Sequence, residues 1–222
     1  MEQDTEGIRI AFVNCAGLIP HLEDIKTDHK LLKADILHLD ETHLEADTSY
    51  NIEINEFRSH CVNVGKGKGI VSYLRTCMTA KISCVKEARL QIVKVSLDDL
   101  DSINLYRSSN CSLDDTWDVL QAMIDPERIT VITGDFNVCL RKSKTNRISS
   151  ALNDCGFSQI QHESTQIMGG QIDHVYWRDP SSNWNMPIIE RHSPYYTDHE
   201  AFLLTLTKMM KPGNKLKRRR LK

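Results

Sequence analysis

The sequence predicts an α/β protein in which two mostly antiparallel β-sheets pack face to face, with helices on the outside. Eight short runs rich in β-branched residues recur along the chain, only about three helical segments separate them, and the spacing in the middle of the chain is typical of hairpins. Polar residues stand at the ends of several of these runs. We therefore expect any active site to lie on the loops at one end of the sandwich.

The strands are predicted from apolar runs that polar turns interrupt. They comprise residues 8–13, 35–40, 69–74, 89–97, 102–107, 129–136, 171–177 and 201–207. The stretch "VNVGKGKGIV" at 62–71 has three glycines at alternate positions, but it lacks the Gly-x-x-x-x-Gly-Lys-Ser/Thr pattern and no helix follows it. We interpret it as a hairpin before a strand rather than a nucleotide-binding loop.

Three helices are predicted. The segment 20–33 begins with Pro20, which the first turn of a helix tolerates, and repeats leucine and isoleucine on one side. The segment 112–124 has Ser112 as its N-cap and acidic residues in its first turn. A third helix, 147–156, ends with Gly156 as a C-cap.

Composition indicates one globular domain, because 40% of the 222 residues are hydrophobic and 26% are charged. No apolar run approaches the length needed to cross a bilayer and the N-terminus has no signal-peptide pattern, so we expect an intracellular protein with no membrane partner. The seven cysteines are odd in number, scattered and without C-x-x-C spacing. We interpret them as reduced thiols, mostly small core residues, which makes a thiolate metal site improbable.

Charge divides the chain into a domain at 1–207 and a basic tail at 208–222. The domain has 30 acidic and 20 basic residues and a net charge of −10, whereas the tail has eight basic residues and no acidic one. An acidic body binds a polyanion only with the help of metal ions or a local basic surface. The tail is too charged to pack. It is interpreted as a nuclear-import signal, with a phosphate-binding arm and a solvated end as alternatives.

Polar residues terminate six of the predicted strands and form the candidate site. They are Asn14, Glu41, Tyr106, Asp135, Asn137, Asp173, Asp198 and His199. Carboxylates for Mg²⁺, a base for the attacking water and a donor for charge on the phosphate are what metal-assisted phosphodiester cleavage requires. Taken singly, each residue is more simply explained as part of a turn. His174 is interpreted as a sheet histidine or a supporting group, because its side chain alternates away from that of Asp173.

The order of these residues along the chain resembles a known pattern. Six segments, "VNCAG", "LDETHL", "INLYRSSN", "TGDFN", "GGQIDHVY" and "YYTDHEAF", are similar to motifs of the endonuclease/exonuclease/phosphatase superfamily, from about Ile8 to Leu206. Within it, the chain most resembles the apurinic-endonuclease-like domains of mobile elements, both non-LTR retrotransposons and Helitron-type helicases. The resemblance implies a four-layer α/β sandwich with its site at one end.

The resemblance also implies roles on the metal side of the site. Glu41 would bind Mg²⁺, with Mn²⁺ as a possible substitute, and Asn14 would assist. Asp198 would lie close to the metal, and Asp135 would orient or deprotonate the attacking water.

On the phosphate side, the resemblance assigns Asn137 and Tyr106 to contacts with phosphate oxygens. It pairs His199 with Asp173 and makes the imidazole stabilise the developing negative charge. The segment "YRSSN" departs from the family, which often has proline before its asparagine, and this leaves the role of Asn110 in question. Arg107 is a candidate phosphate contact, although a surface arginine at a strand end is the simpler interpretation.

Function is accordingly predicted as Mg²⁺-dependent nicking of DNA by a nuclear or otherwise cytoplasmic protein of mobile-element origin, with further domains of an element-encoded polyprotein as partners. Two alternatives stay open. One is a phosphatase or phosphodiesterase with the same chemistry on phosphoinositides, RNA ends or protein–DNA adducts. The other is an inactive module that binds nucleic acid through its tail.

Overall fold

The computed structural model describes residues 7–45, 50–141, 146–161 and 163–209, and these residues form twelve strands, three α-helices and one 3₁₀ helix. The strands are β1 Gly7–Asn14, β2 Ile36–Asp40, β3 Phe57–Val62, β4 Ile70–Arg75, β5 Lys81–Lys86, β6 Leu90–Ser96, β7 Leu100–Arg107, β8 Ile129–Asp135, β9 Ser158–Gln159, β10 Asp173–Arg178, β11 Ile188–His192 and β12 Ala201–Thr207. The helices are α1 Leu18–Thr27, α2 Leu113–Met123, α3 Arg147–Asp154 and the 3₁₀ turn Leu31–Lys33.

The strands form two six-stranded sheets. Sheet I has the order β11-β12-β1-β2-β4-β3, and sheet II has the order β5-β6-β7-β8-β10-β9. Only the pairs β1–β2 and β7–β8 are parallel among the described strands. The predicted fold class, two mostly antiparallel sheets, is therefore confirmed.

Three apolar clusters fill the spaces between four layers. The central cluster joins the facing sides of the two sheets and includes Phe12, Val131 and Phe202. A second cluster lies between sheet I and α1, and a third lies between sheet II and the helices α2 and α3. Each sheet thus buries both faces, which explains why β2, β7, β8 and β10 are buried along their whole length.

Alternation along the strands determines which side chains face the space between the sheets. In β1, Ile10 and Phe12 belong to the central cluster, whereas Ala11 and Val13 pack toward α1. Because side chains in a strand alternate between faces, Asn14 follows Ile10 and Phe12 onto the inner face. The same period brings polar residues from several strands into the inter-sheet space at one end.

The start and end of α1 differ from the prediction of one helix over 20–33. The helix begins at Leu18, so Pro20 stands in its first turn, where a proline costs no hydrogen bond. It stops at Thr27 because Asp28 is extended and its side chain accepts from the backbone N–H groups of Lys30 and Leu31 at 3.0 and 3.2 Å, which starts the separate 3₁₀ turn.

The other two helices agree with their predicted ends. The Ser112 side chain accepts from the N–H groups of Asp114 and Asp115, as an N-cap does. Asn146 and Ser149 form a capping box at the start of α3. Gly156 follows α3 with a φ of 82°, in the left-handed region that glycine favours.

Four strands were not predicted: β3, β5, β9 and β11. They are the outermost strands of the two sheets: β11 and β3 in sheet I, and β5 and β9 in sheet II. Their residues are largely exposed, so they lack the apolar runs by which the inner strands were predicted.

The cysteines correct one expectation, because Cys15 is the one buried cysteine of the seven and they are not mostly core residues. Cys61, Cys77, Cys84 and Cys155 are exposed. None of the helices in the described part of the chain is both long and apolar enough to span a bilayer. Apart from Lys208 and Met209, the predicted tail lies outside the described residues, and the division at residue 207 remains a prediction.

Candidate active site

Polar side chains from five strands meet at one end of the space between the sheets. In sheet I, Asn14 and Asp40 are paired at the carboxyl ends of the parallel strands β1 and β2. In sheet II, Tyr106 is paired with Asp135, and Asp135 with Asp173. Register brings the residues of each sheet together, and hydrogen bonds from Asn14 and Asp40 to Asp135 join the two groups, four of whose five members were predicted from the sequence.

Asp135 is the centre of this arrangement. It is 1% exposed, and its Oδ2 accepts from Asn14 Nδ2 at 3.1 Å, across the gap between the sheets. Its Oδ1 accepts from the N–H of Asn137 at 2.8 Å, and its own N–H donates to Asp40 Oδ2 at 3.2 Å. Both carboxylate oxygens and the backbone of Asp135 are thus held in place.

Gly134 allows β8 to approach β7 closely just before Asp135. Its φ is 145°, and a Cβ on it would lie 1.9 Å from the carbonyl oxygen of Leu105. Any other residue would push the two strands apart. The glycine of "TGDFN" is therefore required by the close contact between the strands that position Tyr106 and Asp135.

His199 and Asp173 form the predicted pair across the sandwich. His199 Nδ1 lies 2.9 Å from Asp173 Oδ2, the imidazole is 7% exposed and Asp173 is fully buried. Burial by itself lowers the pKa of His199, but the hydrogen bond to Asp173 and the charges of Asp173, Asp135 and Asp198 outweigh it and raise the pKa to about 9. Near neutral pH the imidazole is therefore a cation that can donate a hydrogen bond from Nε2.

Two buried carboxyls, Asp135 and Asp40, lie where the charged form is disfavoured. Burial, followed by the charge of Asp173, raises the pKa of Asp135 well above its usual range, although the charge of His199 lowers it. Burial also raises the pKa of Asp40, against the hydrogen bonds from Asn104 and the Asp135 amide. A site with raised carboxyl pKa values is suited either to general base chemistry or to binding a cation.

Glu41 and Tyr106 lie on the more open side of the site. Glu41 adopts a left-handed φ of 50° and its side chain is 25% exposed. The Tyr106 hydroxyl donates to the carbonyl of Gly67 at 2.9 Å. Burial, and next the charges of Glu41 and Asp135, raise the pKa of Tyr106, so the phenol stays protonated and remains a hydrogen-bond donor.

Two predicted residues of the site border this centre. Asp198 is on the surface, with 55% of its side chain exposed, and its Oδ1 lies 3.9 Å from His199 Nε2. Asn137 has a left-handed φ of 50°, and one N–H of its carboxamide donates to the carbonyl of Arg107 at 2.8 Å. The second N–H of that amide group is the one available to a ligand.

Arg107 is not the surface residue that the sequence suggested, because it is 3% exposed. Its guanidinium donates to the carbonyls of Phe136 at 2.5 Å, of Asn137 at 3.0 Å and of Cys111. These contacts hold the loop after Asp135 and engage all three nitrogens, so Arg107 supports that loop, while its predicted phosphate contact stays a prediction. Asn110 lies in an exposed turn beyond β7, and its contact with substrate stays a prediction.

His174 agrees with its prediction as a supporting group. Its ring stacks on Phe136 with centroids 4.6 Å apart, and its Nε2 lies 2.9 Å from the carbonyl of Val138. Burial lowers its pKa to about 4, so the ring is neutral. The neighbouring Asp173 faces the other side of sheet II, as alternation requires.

Two contributors to the site were missed. Gln166 lies on the loop before β10, and its carboxamide is 3.0 Å from His199 Nε2, at the end of the imidazole opposite Asp173. A protonated imidazole donates from Nε2, so the amide oxygen of Gln166 is the atom that can accept there. Asp40 stands next to Glu41 and is fully buried. A sequence signal existed for Asp40, since it ends an apolar strand just as Asn14 does, but its neighbour Glu41 matched the motif instead.

The residues present fit a hard divalent cation. Asp135, Asp173 and His199 each bring one possible ligand atom within 4.8 Å of the others. We assign the cation to the oxygen side of the site rather than to this imidazole, because a protonated histidine has no free lone pair and hard cations prefer oxygen. Asp173 Oδ1 is buried without a hydrogen-bond partner, which leaves an acceptor facing the site that is still unsatisfied.

Comparison with known proteins gives structural matches only. No protein-family model matches the chain, and no curated protein matches it in sequence. The chain is similar in structure to an AP endonuclease from Archaeoglobus fulgidus, with a TM-score of 0.65 and 17% identity over 89% of this chain and 98% of that one.

Two further solved structures have the same architecture. The endonuclease domain of TRAS1, a telomere-specific non-LTR retrotransposon, has a TM-score of 0.65 and 10% identity, and the match covers 90% of this chain and 98% of that one. The 3′ phosphatase NExo from Neisseria, bound to a product DNA hairpin, has a TM-score of 0.67 and 15% identity, and the match covers 89% and 98%. The chain therefore has the endonuclease/exonuclease/phosphatase fold.

Proposed function

We propose that this protein is a metal-dependent phosphodiester hydrolase and that it nicks DNA. The observation that carries the proposal is the convergence of the His199–Asp173 pair, Asp135 and Asn14 at one end of the sandwich, with hydrogen bonds of 2.9 and 3.1 Å between them. A protonated donor and a carboxylate held a few ångströms apart are what in-line attack on a phosphate requires.

The oxygen-rich side of the site would hold the cation. Glu41 and Asn14 are the proposed ligands, with Asp198 beside them, and Mg²⁺ is the proposed ion, with Mn²⁺ as a substitute. When bound, the cation supplies positive charge against the phosphate oxygens and favours ionisation of the carboxyls around it. Asn14 Oδ1 now accepts from the N–H of Ala16 at 3.1 Å, and its second lone pair is the one that would face an ion.

On the other side of the site, the chain supplies the proton chemistry. Asp135 accepts the proton of the attacking water, a role to which its raised pKa is suited. His199 donates from Nε2 to the phosphoryl oxygen as negative charge develops, while Asp173 keeps the ring oriented. The second N–H of Asn137 donates to one of the remaining oxygens, and Tyr106 donates to another once its single O–H turns from the Gly67 carbonyl.

Features of the surface around the site favour a polymer of phosphates over a small ester. The loop between β3 and β4 carries Lys66, which is exposed, and Lys68, and the same loop contacts the Tyr106 hydroxyl through Gly67. Ile167 and Met168 are 80% and 89% exposed on the loop whose Gln166 contacts His199. A basic loop and an apolar tip beside the site suit a substrate that offers both phosphates and bases.

DNA is the proposed substrate for one further reason. The structural matches include a protein whose structure contains a product DNA hairpin and two that are described as endonucleases. The mobile-element origin, the nuclear location that the basic tail suggests, and association with further domains of an element-encoded protein complete the proposal. They rest on the sequence motifs and on the tail, whose residues 210–222 lie outside the described ranges.

A plasmid assay tests the proposal. Supercoiled plasmid incubated with the full chain and millimolar Mg²⁺ should give nicked circles, and chelation of the metal with EDTA should prevent this. Intact plasmid after long incubation with either Mg²⁺ or Mn²⁺ would contradict DNA nicking.

A second candidate, a phosphatase or phosphodiesterase with another substrate, is favoured by one observation. The domain has a net charge of −10, which opposes binding of long polyanions. A panel of 3′-phosphorylated DNA, RNA ends, phosphoinositides and phosphotyrosyl–DNA adducts distinguishes the two. Turnover of one of these with no plasmid nicking would replace the first proposal by the second.

A further inference from the structure

We propose that Asp40 is a positioning residue of the active site, which joins the two sheets beneath the site and fixes the backbone of Asp135. This inference rests on the proposed function in so far as its effect is measured as turnover. It assigns Asp40 a role through Asp135 and no contact with substrate.

The carboxylate of Asp40 spans the gap between the sheets. Asp40 ends β2 in sheet I and is fully buried. Its Oδ1 accepts from Asn104 Nδ2 at 2.5 Å, and its Oδ2 accepts from the N–H of Asp135 at 3.2 Å. Both donors belong to sheet II, Asn104 to β7 and Asp135 to β8, so one side chain links three strands.

A hydrogen bond from Thr133 determines which way the Asn104 amide points. The hydroxyl of Thr133, a fully buried residue on β8, donates to Asn104 Oδ1 at 3.0 Å. The amide oxygen is thereby used, and the amide nitrogen faces Asp40. Asp40 therefore meets a donor at each of its two oxygens, and only a carboxyl group offers two oxygen acceptors at this size.

The backbone of Asp40 is also part of the link. Its carbonyl accepts from the N–H of Cys15 at 3.0 Å, one residue after Asn14. Asp40 thus touches the chain beside Asn14 with its main chain and the chain at Asp135 with its side chain. The hydrogen bond between Asn14 and Asp135 crosses the same gap, so the two residues keep their separation only if the sheets keep theirs.

This geometry matters for rate more than for binding. A base that is displaced by a fraction of an ångström from the attacking water loses much of its effect, whereas phosphate contacts elsewhere in the site are unchanged. Loss of the contact between Asp40 and the Asp135 amide should therefore lower kcat and leave KM almost unaltered.

An exchange of partners provides the test. Asp40→Asn keeps the size of the side chain, but its NH₂ group must face either Asn104 Nδ2 or the Asp135 N–H. Both of these are donors, so one hydrogen bond is lost. The double variant Asp40→Asn with Asn104→Asp restores the lost hydrogen bond with donor and acceptor exchanged, because the amide at position 40 donates to a carboxylate at position 104. That carboxylate still accepts from Thr133, and the oxygen at position 40 still accepts from Asp135.

We expect Asp40→Asn to lower kcat for plasmid nicking by about 10- to 100-fold, with KM within about twofold, and the double variant to recover most of the loss. Thr133→Val, a milder change that only frees the Asn104 amide, should lower kcat by about threefold. A folded Asp40→Asn protein with the wild-type kcat would overturn the proposal. So would a folded double variant that is as slow as the single one, since the effect would then come from the charge at position 40. If Asp40→Asn does not fold, the double variant and Thr133→Val decide in the same way.

Hydrogen exchange of the Asp135 amide gives a readout that needs no activity. The amide should be strongly protected in the wild type, exchange faster in Asp40→Asn and be protected again in the double variant. Equal protection in all three proteins would overturn the proposal. If the wild type cuts no phosphate ester at all, the proposed function fails, and the exchange experiment still decides whether Asp40 holds Asp135.

Discussion

The two ends of the sandwich both bury carboxylates, but they neutralise them differently. At the end away from the site, Asp101 at the start of β7 is fully buried, with Lys94 Nζ 2.7 Å and Arg128 Nε 2.9 Å from its oxygens. At the site end, we call Asp40, Asp135 and Asp173 the carboxylate cluster. Among the described residues, His199 is the one basic side chain within 4 Å of any of its oxygens.

The comparison indicates which kind of ligand the site end is suited to bind. A buried carboxylate that faces two cations is a structural group, and its charge is satisfied within the protein. Three buried carboxyls lie beside one imidazolium, and burial first, then the charges of their neighbours, raises the pKa of Asp40 and Asp135. That arrangement costs stability in the protein alone and is relieved when a divalent cation binds, as expected of a functional site.

The largest effect is expected from removal of the imidazole that contacts the carboxylate cluster. His199→Ala should lower kcat for phosphate ester cleavage by about 10³-fold, because both the charge and the donor at Nε2 are lost. The matched control is His192→Ala, since His192 forms a similar pair with Asp28 at 2.7 Å on sheet I. Nicking rates of the two variants measure the difference, and equal rates would remove His199 from the reaction.

A somewhat smaller loss should follow Glu41→Gln. The amide keeps one oxygen but loses the negative charge, so the variant should need much more Mg²⁺ for half-maximal activity and lose about 10²-fold in rate at low metal concentration. Glu53→Gln is the control, because Glu53 is exposed and lies outside the site. The comparison is a titration of nicking rate against Mg²⁺, and overlapping curves for Glu41→Gln and the wild type would refute a role of Glu41 in metal binding.

Removal of a cation from the opposite end should affect stability and not activity. Lys94→Met leaves Asp101 with Arg128 alone, and we expect the free energy of unfolding to fall by about 2 kcal/mol in urea denaturation. The nicking rate at a temperature where the variant is folded should equal that of the wild type. A tenfold loss of rate would mean that the two ends are not independent.

The smallest expected effect is a pH dependence of the metal-free protein. The pKa of His199 is raised from 6.5 to about 9, so its contribution to stability is complete below pH 6.5 and disappears as the pH rises through 9. The raised carboxyl of Asp135 acts in the same direction at lower pH, since stability falls once the unfolded carboxyl ionises. In EDTA, the free energy of unfolding should therefore fall by about 1 to 2 kcal/mol between pH 7 and pH 9, and this fall should be absent in His199→Ala.

Much of the fold could be predicted from the sequence because its inner strands are buried on both faces and read as apolar runs. The run at 201–207 corresponds to β12 residue for residue. The outermost strands β3, β5 and β11 could not be predicted in this way, since many of their residues are exposed and polar residues interrupt their apolar ones. The break in the helix after Thr27 depends on a local hydrogen bond of Asp28 that periodicity does not contain.

The site was predictable where a residue ends an inner strand and matches a motif, as Asn14, Asp135 and Asp173 do. The structure brings these together with Glu41, Tyr106, Asn137 and His199, while their individual roles stay predictions. Arg107 could not be assigned correctly, because the carbonyls that surround its guanidinium come from a loop 29 and 30 residues away. Gln166 reaches His199 only through the fold of its loop, for which no sequence pattern exists.

The measurement that tests the central claim most directly is calorimetric titration of the full chain with Mg²⁺, combined with the melting temperature. If Glu41 and Asn14 hold a divalent cation beside the carboxylate cluster, millimolar Mg²⁺ should bind saturably and raise the melting temperature, and Glu41→Gln should weaken both effects. A wild-type protein that shows neither heat of binding nor a change in melting temperature with Mg²⁺ or Mn²⁺ would contradict the account.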